Sequence, residues 1–166
     1  MFRRLKQFVE ALFARVSKDD YTFLSDYVTL AERDLFLRMP RYDQRHSLNV
    51  GNFLRRHGHS LELVRAGLLH DIGKGENAEL TLIRRSLCVL LEKLAPSKVE
   101  KLVKRRKGKL GEALYVHLNH PEIGARRLEE LDVDEHIVKL VRYHHDQKRI
   151  AQNKELKILR EVDNKF

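Results

Sequence analysis

The chain has 166 residues, 42% of them hydrophobic and 34% charged. This suits one globular domain with a sizeable buried core and argues against a disordered or fibrous chain. Thirty-three Lys and Arg against 24 Asp and Glu give a formal charge of +9, which favours acidic partners such as phosphates, nucleic acid or anionic lipid but does not choose among them.

Phe2, Leu5, Phe8, Val9, Leu12, Phe13 and Val16 recur at helical spacing and predict an amphipathic helix over 2–16, expected to pack on the main bundle. This stretch is charged throughout and does not read as a signal peptide. No apolar run reaches the roughly 18 residues of a membrane span, so a cytoplasmic protein is expected. Ser17 to Asp20 offer a capping start for a helix over about 20–38, which Pro40 ends. A helix follows over 41–57, stopped at Gly58, and another from Ser60 to Ile72, stopped at Gly73. Residues 76–94 read as a looser region, followed by Pro96 and a basic run over 98–109 that reads as a solvated helix face. Helices are then predicted over 111–118, 121–131, 134–145 and 154–165, with Pro121 as the first residue of its helix. Cys88, the only cysteine, reads as a small buried core residue. With no internal repeat and no strand-like alternation, the expected architecture is an all-α bundle, with an N-terminal helical extension (1–38) and a main domain (39–166).

Chemistry concentrates at His46, His70–Asp71 within AGLLHDIGKG (66–75), His120 at the head of HPEIG (120–124), His144–His145, and Asp163. His46 falls mid-helix and the others fall near predicted helix ends. Histidine and aspartate together suit borderline divalent metals. Burying His70 and Asp71 side by side without a partner would be expensive, and a metal ion removes that cost. Sites between the helices of a bundle are common. His57, His59, His117 and His136 read as surface or packing residues, and Arg41, Arg45, Arg142 and Lys148 as surface charges.

The ordered set H…HD…H…HH…D, spread over 42–164, resembles the HD-domain superfamily of metal-dependent phosphohydrolases, and HDIGK resembles its HDIG subgroup. The set is also similar to the catalytic half of the HD-GYP cyclic-di-nucleotide phosphodiesterases. The GYP segment is missing, however, and only residues 146–162 separate His145 from Asp163. The resemblance implies an HD-type helical bundle. It implies that His46, His70, Asp71 and Asp163 hold one metal ion, and that Asp71 bridges to a second held by His120, His144 and His145. Lys74 matches the lysine that contacts substrate phosphate, so Asp71 and Lys74 are the implied catalytic residues. Tyr42 stands where some HD-GYP members carry a glutamate for a third ion, so two divalent ions at most are expected, drawn from Fe, Mn, Ni, Co, Zn or Mg.

The function so implied is hydrolysis of a nucleotide or related phosphomonoester or phosphodiester by metal-activated water. Two alternatives stand beside it: a non-catalytic HD-type signalling or interaction module, and a di-iron oxygenase. The expected partner is a small phosphorylated substrate. Nucleic acid is not expected, because only net charge speaks for it.

Overall fold

The computed structural model describes residues 15–76, 82–105 and 108–166. The helix predicted over 2–16 lies almost wholly outside these residues. Among the described residues there are ten α-helices, one short 3-10 turn and no strand, so the all-α expectation holds. In chain order they are α1 (Lys18–Ser25), α2 (Leu30–Arg38), α3 (Arg41–Arg56), α4 (Leu61–Leu69), the 3-10 turn Ile72–Glu76, α5 (Leu82–Leu94), α6 (Pro96–Arg105), α7 (Gly108–Glu129), α8 (Glu135–Tyr143), α9 (Gln147–Gln152) and α10 (Lys154–Asp163). None of the described helices is long and apolar enough to cross a membrane.

Several elements differ from the sequence reading, and the helix expected to run to Ile72 ends at Leu69, with Ile72 opening the 3-10 turn. The single helix predicted over 20–38 is two, because Thr29 takes extended backbone and starts α2 with a capping box. Its hydroxyl accepts from the Glu32 N–H, and the Glu32 carboxylate accepts from the Thr29 N–H at 2.8 Å, satisfying donors that a helix start leaves open. Fully buried Glu32 also takes two bonds from Arg65 of α4, at 3.0 and 2.6 Å, which pins α2 to α4. The region 76–94 contains a regular helix, α5. The helices predicted over 111–118 and 121–131 are one continuous helix, α7, with Pro121 inside it. A short helix, α9, follows the Asp146 side chain, which caps the Lys148 and Arg149 N–H groups.

The main core gathers Leu48, Val50 and Leu54 of α3, Leu63, Leu68 and Leu69 of α4, the apolar face of α8, and Leu156, Leu159 and Val162 of α10. Leu24, Val28 and Phe36 from the α1–α2 segment enter the same core. Each fully buried leucine contributes about 2 kcal/mol. Glycines set the approach of α3 to α4: a Cβ on Gly51 would stand 2.6 Å from a Leu68 methyl, and one on Gly67 2.6 Å from a Leu54 methyl. A second, smaller core joins α5, α6 and α7 through Cys88, Val99, Ala113, Leu114 and Val116. Cys88 is buried, as expected. In the basic run, Val99, Leu102 and Val103 face this second core while Lys101 and Lys104 are exposed.

Candidate metal centre

The bundle brings every predicted ligand to one place. The rings of His46, His70, His144, His120 and His145 form a continuous chain with successive centroids 5.3, 5.1, 5.4 and 5.2 Å apart. Local chain physics orients three of these rings. A helix leaves its last four carbonyls without an internal partner. His70 caps α4 and donates its Nδ1–H to the Gly67 carbonyl at 2.9 Å. His144 caps α8 and donates likewise to Val141 at 2.6 Å.

His120 reaches the same arrangement inside a helix. Pro121 has no N–H, so it cannot make the helical bond to the carbonyl four residues back, which belongs to His117. His120 Nδ1 donates to that carbonyl at 2.8 Å. The His-Pro pair therefore marks no helix start. It frees one carbonyl mid-helix and uses it to fix an imidazole.

Each bond sets a tautomer, since a carbonyl can only accept. With the proton on Nδ1, the Nε2 lone pairs of His70, His120 and His144 point inward, and these three buried atoms make no hydrogen bond. A metal-binding histidine is held in this way, with its second nitrogen donating to a carbonyl or carboxylate.

The ligand atoms fall into overlapping groups that each fit one cation: His46, His70 and Asp163; His120, His144 and His145; and His70, Asp71 and His144. Asp71 stands between the first two. Its Oδ2 is 3.6 Å from His70 Nε2 and 4.0 Å from His46 Nε2, while its Oδ1 is 3.2 Å from His120 Nε2. Asp163 turns Oδ1 to His46 at 3.1 Å and to His70 at 3.7 Å. His120 Nε2 and Asp71 Oδ1 are both acceptors, facing each other in a site where His120 is 4% and Asp71 1% exposed. Two buried acceptors pointing at one space are what a divalent cation satisfies, and a nitrogen-and-carboxylate set suits a first-row ion. The residues fit a metal centre.

Electrostatics prepare the same set. Burial, with the Lys74 charge, pushes His120 down to about 3. Burial, with His70 and His120, holds His144 well below the ordinary histidine range. His145 is exposed on its outer side, but desolvation of its ring against those of His120 and His144, with His144 and Arg160, brings it down to about 3. These rings are neutral, as ligands must be. At His70, burial is outweighed by the Asp71 and Asp163 charges, and its value rises. Burial alone would raise Asp71, but Lys74, His70 and His120 hold it well below the usual carboxylate range. Asp163 is likewise depressed against its burial, by His46 and His70.

Lys74 follows from the 3-10 turn. Its Nζ donates to Asp71 Oδ2 at 2.5 Å and lies 3.6 Å from Asp43 Oδ1. The turn itself needs Gly73, whose missing Cβ makes room for the backbone of α7 at His120 and Gly124.

Sequence reasoning missed two side chains here. Asp43, buried three residues before His46 on α3, sits behind Lys74. Arg160, one turn before Asp163 on α10, donates to Asp163 Oδ2 and to His145 Nδ1, each at 2.9 Å. The spacings of three residues before His46 and before Asp163 were the available signals. Among the residues read as surface, His117 gives its carbonyl to His120 and meets Glu92. Arg45 pairs with Asp20, Arg142 with Glu122 and Glu129, and His136 with Glu155.

A model of the HD domain family matches residues 44–165, and the chain belongs to that family. The HDIG subgroup is not resolved by that match. No curated protein and no solved structure matches the chain. The family is one of metal-dependent hydrolases in general, and the clustered histidines and aspartates are groups able to hold metal.

Proposed function

We propose that the chain is a metal-dependent phosphohydrolase that cleaves a nucleotide or related small phosphoester at a dinuclear centre. His46, His70, Asp71 and Asp163 would hold one divalent ion. His120, His144 and His145 would hold the other, with Asp71 shared. The observation that carries the reading is the placement of Asp71, which turns one carboxylate oxygen to each cluster.

Bound there, a pair of divalent ions supplies Lewis acidity toward a phosphoryl oxygen and lowers the pKa of water. The chain's own residues do the rest. The three carbonyl-tethered imidazoles keep their rings from turning, so the ligand geometry exists before substrate arrives. Lys74 places a positive charge beside Asp71, where negative charge builds on the phosphoryl oxygens during displacement. Asp43 gives Lys74 a second carboxylate partner when Asp71 is engaged elsewhere. No serine or cysteine nucleophile is required. The complete ligand set favours catalysis over a non-catalytic binding module.

The test is to load the protein with Mn2+, Fe2+, Co2+, Zn2+ or Mg2+ separately and assay a panel of nucleotides, phosphomonoesters and phosphodiesters. Turnover with at least one ion, abolished in Asp71→Asn, is expected. Normal metal binding with no turnover across the panel would sink the reading in favour of a binding module.

A further inference from the structure

We propose that Arg160 governs occupancy of the cation position formed by His120, His144 and His145, and that an anion of the phosphate class releases it. The inference rests on the dinuclear reading above and adds how its second position fills.

The argument starts from imidazole tautomers. His70, His120 and His144 each donate Nδ1–H to a backbone carbonyl and keep an Nε2 lone pair for an ion. His145 is different, because its Nδ1 lies 2.9 Å from Arg160 Nη1. A guanidinium can only donate, so His145 Nδ1 accepts, and in the neutral ring the proton sits on Nε2. While that contact lasts, neither nitrogen can take a cation. Ligation through Nδ1 needs the lone pair that Arg160 occupies. Ligation through Nε2 needs the proton moved to Nδ1, where two donors would then face each other. A cation in this cluster would also stand beside a permanent positive charge. His145 completes the cluster only when Arg160 withdraws.

Arg160 has somewhere to go. Its second bond, to Asp163 Oδ2 at 2.9 Å, involves the carboxylate oxygen turned away from His46, whose partner is Oδ1. Both bonds run from Nη1, so the side chain can pivot about that nitrogen, leaving His145 while it stays tethered to Asp163. Arg160 is partly exposed and His145 exposed, so both are reachable from solvent. Phosphate oxygens offer the guanidinium replacement acceptors in the fork geometry it favours. Anion binding and second-ion binding therefore support each other, and by reciprocity each tightens the other.

The test reads metal binding and is independent of turnover. Isothermal titration with Mn2+ is made on the wild type and on Arg160→Met, with and without inorganic phosphate. In the wild type without phosphate, the second ion should bind more weakly than the first by roughly tenfold or more. Arg160→Met should tighten that second step by a similar factor, and phosphate should tighten it more in the wild type than in the variant. A second-ion affinity unchanged or weakened in Arg160→Met overturns the proposal, as does an equal phosphate increment in both proteins. A measurement needing no variant guards against misfolding: nitrogen NMR of the metal-free wild type, made at a pH above the raised His70 value so that all four rings are neutral, should find the Nε2–H tautomer at His145 and the Nδ1–H tautomer at His70, His120 and His144. One tautomer at all four overturns it. If the binding results hold and no phosphoester is cleaved, only the phosphohydrolase reading falls. If no second ion binds under any of these conditions, the dinuclear reading and this proposal fall together.

Discussion

Gly73 and His120 meet backbone to backbone: a Cβ on Gly73 would stand 2.1 Å from the His120 carbonyl oxygen and 2.7 Å from the Gly124 nitrogen. The glycine after the His-Asp pair and the glycine that ends HPEIG thus serve one contact, which sets the 3-10 turn against α7. That contact fixes how far Asp71 lies from His120.

Gly73→Ala should therefore damage the site more than its size suggests. Backbone cannot yield as a side-chain tip can, so a loss of about 1–3 kcal/mol in stability is expected, together with reduced metal content. Gly124→Ala, whose Cβ would meet Gly73 nitrogen at 3.1 Å, should cost less. Thermal melts and metal analysis of both variants decide it. Equal, wild-type behaviour would refute the role given to the contact.

Pro121→Ala separates stability from binding. Alanine restores an N–H that can bond the His117 carbonyl, so the helix should gain stability, because proline is unfavourable in a helix interior. The restored bond competes with His120 Nδ1, and metal affinity should fall about 10- to 100-fold. Opposite signs in the melting temperature and the metal titration are the signature. A variant with unchanged affinity would show that the freed carbonyl does not orient His120.

Lys74→Met should leave metal stoichiometry at the wild-type level while lowering kcat about 10²- to 10³-fold, the scale for losing one charge-stabilising donor. Asp43→Asn should lower activity less, and should add nothing in a Lys74→Met background if it acts by positioning Lys74. An additive double variant would assign Asp43 an independent role.

The metal-free protein should lose stability as the pH falls below the ordinary histidine value. The folded-state values of His120, at about 3, and of His144 lie below that of an unfolded histidine, near 6.5. Between these limits the unfolded chain binds more protons, so stability rises with pH and is lost as the pH falls. His145 acts in the same direction. His70 opposes: its raised value adds stability that is fully present below 6.5 and lost as the pH rises through its folded value. Asp71 and Asp163, both depressed, lose their contribution only below the carboxylate range. The sum is a melting temperature that drops from pH 7 to pH 5. A flat or rising curve would show that the buried rings are already charged at neutral pH.

The sequence by itself determined the helical class, most helix starts and stops, and every residue proposed as a ligand. Those features are local. Apolar periodicity writes a helix, Ser, Thr and Asp write its caps, and His-Asp pairs at helix ends stand out in a chain with few other reasons to put them there. The tertiary structure decided the rest. It brought the separated ligands together, because only packing of α3, α4, α7, α8 and α10 brings His46 within 3.1 Å of Asp163, 117 residues away. It placed Asp43 behind Lys74 and Arg160 against His145. It also turned Pro121 from an expected helix start into an interior residue, since packing along both halves of α7 outweighs the local penalty of one missing hydrogen bond.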